Sequence, residues 1–163
     1  MADTVLIVCH ANTARSVMAQ VLLERMLAVR GIAGVSVCSG GVAHWARDGM
    51  IPSLDARLAL RDEGIHLAED ALTSTAIALH PELVAAAHVI VTMTGEQKAI
   101  MEALADAAGK PVLTLRELAG ESGDIADPAM QGEDVFRVCR DEIKRCLEKS
   151  IDRLLRLLPD GHG

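Results

Sequence analysis

The sequence is poor in aromatic residues and in positive charge. Among 163 residues it has no tyrosine, one phenylalanine (Phe136) and one tryptophan (Trp45). A ring-shaped ligand would therefore find few aromatic side chains on which to stack. The 23 acidic residues outnumber the 16 basic ones, which gives a formal net charge of −7. This acidity argues against nucleic acid or an anionic membrane as a partner, because both require surplus positive charge.

Long apolar runs and paired metal-ligand motifs are missing as well. No apolar stretch reaches the roughly 18 to 20 residues of a membrane-spanning helix. The N-terminus has no lysine or arginine before its first apolar run, unlike a secretory signal. The four cysteines (Cys9, Cys38, Cys139 and Cys146) contain no Cys-x-x-Cys pair, and the six histidines lack ligand spacing. We therefore expect a soluble, cytoplasmic protein with free thiols and without a metal or cofactor.

Half of the residues are hydrophobic, enough for the core of one domain spanning residues 1–163. Short apolar runs alternate with helical patterns, which is typical of βαβ units in an α/β fold with a parallel sheet. Segment 65–80 is ambiguous and 119–132 is predicted to be a long loop. The pattern predicts strands at 4–9, 35–38, 88–93 and 111–115, and helices at 15–29, 52–64, from residue 81, 95–108 and 133–158.

The segment from Cys9 to Ser16 follows the first predicted strand and opens a helix. In parallel sheets, ligands bind at the carboxyl ends of strands. A turn of small residues before a helix directs backbone N–H groups and the positive end of the helix dipole at an anion. Arg15 can clamp two oxygens of a tetrahedral oxyanion, and the same field favours the nucleophilic thiolate of Cys9. The alternative is a buried strand-end thiol beside a solvated arginine.

A second chemical motif, Asp127-Pro128, lies in the long loop before the last helix. A thiolate that cleaves a phosphomonoester needs a proton donor for the leaving group, and a loop carboxylate can supply it. The proline fixes the backbone directly after Asp127. Alone, Asp-Pro is also an ordinary turn. Together with Cys9 and Arg15, it indicates phosphoryl transfer.

These two segments, at opposite ends of the chain, resemble the low-molecular-weight protein tyrosine phosphatases. That family carries Cys-x-Gly-Asn-x-Cys-Arg-Ser-Pro after its first strand and Asp-Pro before its final helix. Segment 113–128 is similar to the bacterial branch, which includes protein arginine phosphatases. The resemblance implies a three-layer αβα, Rossmann-like fold of the phosphotyrosine protein phosphatase I type, with a four-stranded parallel sheet. It also implies a metal-free enzyme that acts on proteins carrying phosphotyrosine or phosphoarginine, with inorganic phosphate as product or inhibitor.

The resemblance also assigns roles to individual residues. Cys9 attacks phosphorus to form a phosphocysteine intermediate, and Asp127 protonates the leaving group and then activates water. Asn12 stabilises the turn of the loop, and Ser16 hydrogen-bonds the thiolate. The phosphoryl oxygens are held by Arg15 and by the loop residues His10, Ala11, Asn12, Thr13, Ala14 and Ser16.

The sequence departs from the family pattern within the loop. Ala11 replaces a glycine, which would cost about 1 kcal/mol if the position required positive φ. Ala14 replaces the second cysteine, so the family's protective disulfide cannot form, and Val17 replaces the proline. Cys38 is either a substitute partner for Cys9 or a buried core thiol. Ser74 aligns nearest to the histidine that supports the loop asparagine in relatives.

Three positions bear on the choice of substrate. Ala129 stands where phosphotyrosine-specific relatives carry an aromatic residue, which leaves Trp45 as the candidate wall. Thr13 matches a threonine of the arginine phosphatase branch, although it is also readable as a tolerated loop residue. Three acidic residues near the expected mouth are either attractants for a guanidinium or solvated surface: Asp48, Glu121 and Asp124.

Two other functions fit parts of the pattern. A thioredoxin-linked arsenate reductase shares the fold and the anion loop, but it needs two further cysteines in a redox segment, and residues 65–110 contain none. An oxyanion-binding regulatory module with little turnover is the non-enzymatic alternative. Pure binding requires neither a nucleophile nor a proton donor, so the presence of both Cys9 and Asp127 favours the enzyme.

Overall fold

The computed structural model describes residues 2–160 and 162. The strands are β1 (Asp3–Cys9), β2 (Val35–Gly41), β3 (Val89–Thr92) and β4 (Val112–Thr114). The helices are α1 (Arg15–Val29), α2 (Leu54–Arg61), α3 (Pro81–Ala86), α4 (Gly95–Glu102), α5 (Leu115–Leu118) and α6 (Glu133–Leu157), with short 3₁₀ turns at Ile77–Leu79 and Ala105–Ala107. In the part of the chain so described, no helix is both long and apolar enough to cross a membrane.

The strands form one parallel sheet in the order β2-β1-β3-β4. The chain moves outward from β1 on both sides, so the strand order reverses between β1 and β3. Such a reversal opens a crevice at the carboxyl ends of the strands. Cys9, the last residue of β1, therefore lies where this fold class binds its ligands.

The side chains of β1 alternate between two cores. Val5, Ile7 and Cys9 belong to the larger core with α1, α2, α5 and α6, whereas Leu6 and Val8 belong to the smaller core with α3 and α4. Because both faces of the sheet are covered, the strand is a continuous apolar run, as buried parallel strands are. The predicted three-layer αβα architecture with a four-stranded parallel sheet is confirmed.

Several predicted boundaries are wrong. The strand predicted at 111–115 ends at Thr114, whose side chain instead accepts a hydrogen bond from Glu117 N and caps α5, a helix the periodicity did not reveal. The helix predicted at 95–108 ends at Glu102 and is followed by a separate 3₁₀ turn. Helix α2 begins only after Ser53, which caps it. Strand β2 continues through the glycines to Gly41.

Cys38 lies on the opposite face of the sheet from Cys9. It pairs with Leu6 in β1 and packs against the smaller core, whereas Cys9 belongs to the larger one. Burial raises the pKa of the Cys38 thiol to about 11. Cys38 is therefore a core thiol, and the interpretation of it as a substitute disulfide partner for Cys9 is wrong.

Candidate active site

The loop from Cys9 to Arg15 turns tightly between β1 and α1. Its residue with positive φ is Asn12, at 61°. Asparagine tolerates this left-handed region better than most residues, because its short side chain bonds locally. Ala11 is not among the residues with positive φ. The alanine at this position therefore avoids the backbone penalty that a positive φ would have imposed.

The Asn12 side chain holds the loop from beneath with three hydrogen bonds. Its Nδ2 donates to Ser16 Oγ at 2.8 Å and to Ser39 Oγ at 2.9 Å, and its Oδ1 accepts from Thr75 N at 2.9 Å. Ser39 Oγ in turn donates to Gln20 Oε1 at 2.6 Å. All three polar functions of this buried amide are thereby satisfied, which fixes the loop against β2 and the segment around Thr75.

The support for Asn12 that was expected from Ser74 comes instead from the backbone of Thr75. Thr75 N reaches Asn12, whereas Ser74 Oγ accepts from Met50 N at 2.9 Å and donates to Arg47 O at 2.5 Å. Ser74 therefore fastens the segment around Met50, which borders the cleft.

Two groups lie within hydrogen-bond distance of the Cys9 sulfur. Ser16 Oγ is 2.9 Å from Cys9 Sγ, and Asn12 N donates to the same sulfur at 3.3 Å. Because Ser16 Oγ already accepts a hydrogen from Asn12 Nδ2, its own hydrogen is free to point at Sγ. The arrangement offers two donors to a thiolate.

Arg15 is buried and linked to the loop that carries Asp127. Its side chain is 3% exposed, its Nη1 donates to Ile125 O at 2.7 Å, and its Nη2 lies 3.8 Å from Asp127 Oδ2. The interpretation of Arg15 as a solvated charge is therefore wrong. Helix α1 begins after Ala14 with no side-chain cap and no acidic residue in its first turn, so its N-terminal amides remain available to an anion.

Asp127 is the accessible carboxylate of the site. Its side chain is 53% exposed, and its Oδ1 accepts from Ala129 N at 3.0 Å across Pro128. This turn leaves Oδ2 facing Arg15. A carboxyl group held beside the cleft by its own backbone turn can donate a proton to a group bound there.

Cys9, Arg15 and Asp127 meet in a cleft of about 280 Å³. Its wall includes the predicted Thr13, Trp45 and Ala129, whereas Asn12 and Ser16 do not line it and are buried beneath the loop. Sequence reasoning missed Met50, Ser53 and Phe136, which come from other segments and carry no local motif. The lining residues are Cys9, His10, Ala11, Thr13, Ala14, Arg15, Trp45, Met50, Ser53, Asp127, Ala129 and Phe136.

The three acidic residues expected near the mouth are engaged elsewhere. Asp48 accepts from Ala76 N and contacts His80, and Asp124 accepts from Gly95 N. Glu121 contacts Arg116, Arg145 and Lys149. None of the three lines the cleft, so the interpretation of them as attractants for a guanidinium is not supported.

A thiol at the end of β1, a turn whose amides are available to an anion, a buried arginine and a loop carboxylate are, on this fold, typical of cysteine-dependent phosphatases. The chain matches the model of the low molecular weight phosphotyrosine protein phosphatase family over residues 4–157. It belongs to that family and is a cysteine-dependent phosphatase.

The named relatives include both an arginine phosphatase and a probable tyrosine phosphatase. The chain is 33% identical to a protein-arginine-phosphatase of Geobacillus stearothermophilus, covering 92% of this chain and 95% of the relative. It is 32% identical to a probable low molecular weight protein-tyrosine-phosphatase, EpsP, of Ralstonia nicotianae, covering 96% and 99%.

A solved structure also matches the fold. It is a cysteine-to-serine mutant of the YwlE arginine phosphatase whose active-site serine is phosphorylated. It superposes with a TM-score of 0.79 at 29% identity, covering 94% of this chain and 99% of that one. A phosphorylated active-site residue in that protein is consistent with a covalent intermediate in the family.

Proposed function

We propose that this protein hydrolyses phosphoarginine in proteins. The observation that carries the proposal is the position of Thr13, which lines the cleft together with Cys9 and Asp127. Ala129 lines the same cleft, and an aromatic wall for phosphotyrosine is missing at this position. The named relatives from Geobacillus stearothermophilus and Bacillus subtilis are protein-arginine-phosphatases, which supports the same assignment.

In the first step, the Cys9 thiolate attacks phosphorus and forms an S–P bond while the P–N bond to the guanidino group breaks. Arg15 and the loop amides bind the three phosphoryl oxygens, whose negative charge they match. The electron pair of the P–N bond stays on the leaving nitrogen, and Asp127 donates its proton to it, so that it departs as an NH2 group of the arginine side chain rather than as an anion. Ser16 and Asn12 N donate hydrogen bonds to the sulfur and make it a better leaving group for the next step.

In the second step, water attacks the phosphorus of the phosphocysteine and the S–P bond breaks. The Asp127 carboxylate, left deprotonated by the first step, accepts the proton of the water. Thiolate and inorganic phosphate are the products, and the reaction as proposed requires no metal or cofactor. Phosphate that remains in the cradle competes with substrate, so we propose that it is an inhibitor.

The experiment compares kcat/KM on one peptide carrying either phosphoarginine or phosphotyrosine, with Cys9→Ser as the blank. We expect a preference for phosphoarginine of at least about tenfold, the value of a single hydrogen bond to a charged group. A preference for phosphotyrosine would contradict the proposal. Release of phosphate no faster than in the blank would instead favour an oxyanion-binding module.

Phosphotyrosine is the second candidate substrate, and two aromatic residues favour it. Trp45 and Phe136 both line the cleft, and aromatic pairs contribute about 0.5–1.5 kcal/mol each. Phe136 is buried, however, and Trp45 is 57% exposed, so neither forms the deep slot that would enclose a phenyl ring. Trp45→Ala therefore separates the candidates, because it should weaken activity on phosphotyrosine more than on phosphoarginine.

We further propose that the protein acts in the cytoplasm. All four cysteines are free thiols in the structure, which is usual in a reducing compartment. Activity that requires a thiolate also depends on such an environment, because oxidation of Cys9 would abolish it. Cell fractionation with an activity assay tests the location.

A further inference from the structure

The loop that carries Asp127 is held at its base by Arg116 of α5. Arg116 Nε donates to the carbonyl of Asp124 at 3.1 Å, and its Nη1 donates to Glu121 Oε1 at 2.8 Å. Its Nη2 contacts Glu142 of α6. In return, Glu121 N donates to the carbonyl of Arg116 at 2.8 Å. The guanidinium thus spans the loop base and joins it to α6.

Glu121 extends this cluster along α6. Its Oε2 accepts from Arg145 Nη1 at 2.5 Å and from Lys149 Nζ at 2.7 Å. These hydrogen bonds lower the pKa of Glu121 to about 2. The side chains of Arg116 and Glu121 are each 21% exposed, so the cluster is sheltered and multiply bonded, unlike an isolated surface pair.

From the cluster, an unbroken series of contacts leads to the cleft. Asp124 Oδ1 accepts from Gly95 N at 2.9 Å, and Ile125 N donates to Met93 O at 2.9 Å. The carbonyl of Ile125, a residue with no exposed surface, accepts from Arg15 Nη1 at 2.7 Å. Asp127 follows two residues later.

Asp127 itself has little to hold it in place. Its carboxylate contacts Arg15 at 3.8 Å and the amide of Ala129 within its own turn, and its carbonyl accepts from Gln131 Nε2 at 2.8 Å in the exposed part of the same loop. The placement of its backbone therefore depends on segment 121–125, which the charged cluster fixes.

We infer that Arg116 and Glu121 are positioning residues for the proton transfer of this enzyme. They touch neither the cleft nor the reacting atoms, and they act by fixing the segment that presents Asp127 and the Ile125 carbonyl. The inference rests on the acid role proposed above for Asp127. The step concerned is transfer of the Asp127 proton to the leaving atom while the S–P bond forms and the bond to the leaving group breaks.

The dependence of the rate on the leaving group measures this positioning. p-Nitrophenolate leaves readily without a proton, whereas phenolate from phenyl phosphate is a poor leaving group and needs one. A misplaced Asp127 should therefore slow phenyl phosphate more than p-nitrophenyl phosphate. A purely structural defect that lowered the amount of folded enzyme would slow both equally.

The experiment measures kcat/KM of Arg116→Met on both substrates, because kcat/KM reports the first step, whereas hydrolysis of the phosphocysteine is common to both substrates. We expect a loss of about tenfold on phenyl phosphate and less than about threefold on p-nitrophenyl phosphate, since misplacement forfeits part of the 10²–10⁴-fold contribution of a general acid. Glu121→Gln should change the ratio of the rates on p-nitrophenyl phosphate and phenyl phosphate in the same direction, but by less. It provides the test if Arg116→Met does not fold. Arg25→Met is the matched control, because Arg25 likewise donates to a carbonyl and contacts a carboxylate, both of Glu63. It should leave the ratio unchanged.

Asp127→Ala and the double variant Asp127→Ala/Arg116→Met separate the acid role of Asp127 from the positioning role of Arg116. If Asp127→Ala shows strong leaving-group dependence and Arg116→Met adds none in that background, the positioning role is supported. If Asp127→Ala shows the dependence but Arg116→Met and Glu121→Gln slow both substrates equally, the positioning role is overturned and the acid role stands. If Asp127→Ala itself shows no dependence, the proposed acid role fails, and the positioning role fails with it.

Discussion

Asn12 combines a left-handed backbone with a fully bonded side chain, and these two properties make separable contributions. Asn12→Ala removes three buried hydrogen bonds and leaves a Cβ residue at a φ of 61°. We expect a loss of about 2–4 kcal/mol in the free energy of unfolding, measured by urea denaturation. Asn12→Gly loses the same bonds but relieves the backbone, so it should be about 1 kcal/mol more stable than Asn12→Ala. Equal stabilities would contradict the backbone argument.

The hydroxyl group of Thr13 is the group that we expect to favour phosphoarginine, and one substitution can remove it. Thr13→Val keeps the volume and branching of the side chain but replaces its hydroxyl with a methyl group. If the hydroxyl contacts the guanidino group, kcat/KM on a phosphoarginine peptide should fall about ten- to a hundredfold, the value of one hydrogen bond to a charged group. The value on the matched phosphotyrosine peptide should change less than about twofold. A parallel fall on both peptides would mean that Thr13 shapes the loop and does not select the substrate.

The carboxyl end of β2 packs directly against the loop from Cys9 to Arg15, which makes Gly41 a close-packing position. A Cβ at Gly41 would lie 2.7 Å from His10 O and 2.9 Å from Ala11 C. Gly41→Ala should therefore displace the loop, at a cost of about 1–3 kcal/mol in stability and with a clear fall in kcat. Gly95→Ala is the matched control, because its Cβ would meet only Asp124 Oδ1, at 3.9 Å. Retained activity in Gly41→Ala, with a stability equal to that of the control, would contradict this account.

The elements that sequence alone predicted well are those specified by local periodicity. Strand β1 and helix α1 were placed to within a residue, since a buried strand and a long helix each repeat their pattern several times. Helix α5 has only four residues, too few to show a period. The ambiguous segment 65–80 owes its conformation to distant partners, such as the bond of Thr75 N to Asn12, which no local pattern encodes.

The same distinction holds for the candidate site. Cys9, Arg15 and Asp127 were predicted, because each belongs to a short motif whose chemistry is recognisable in sequence. Met50 and Phe136 were missed as lining residues, since the fold brings them from separate segments. The cluster around Arg116 was also missed, because its acidic and basic members look like ordinary surface charge until the structure brings them together.

At the scale of the whole molecule, several carboxylates in different parts of the fold are anchored by hydrogen bonds, which makes stability sensitive to acid. The pKa values of these groups are lowered in the fold, so their stabilisation is present above their ordinary values near 4 and is lost as pH falls through the folded values. For Glu121 the folded pKa is about 2. We expect the urea midpoint to fall steadily below about pH 4, and Glu121→Gln to fall less steeply than the parent. The groups concerned are Asp48, Asp62, Glu63, Glu117 and Glu121.

Stability should also decline above neutral pH, through a histidine that joins two separate parts of the fold. His80 Nε2 lies 2.7 Å from Asp48 Oδ2 and Nδ1 lies 3.0 Å from Glu82 Oε1. The hydrogen bonds to Asp48 and then Glu82 raise the pKa of His80 above its ordinary value of 6.5.

A group whose pKa is raised by folding stabilises the protein fully below its unfolded pKa and loses that stabilisation as pH rises through the folded pKa. The free energy of unfolding should therefore fall as pH rises above about 6.5 and the His80 proton is lost. His80→Gln can still hydrogen-bond but does not titrate. It should abolish this decline and leave the loss of stability below about pH 4 unchanged. An unchanged slope in His80→Gln would assign the decline to another group. Because Asp48 also accepts from Ala76 N, the loop bearing Trp45 should stay anchored, and kcat should not follow the decline in stability.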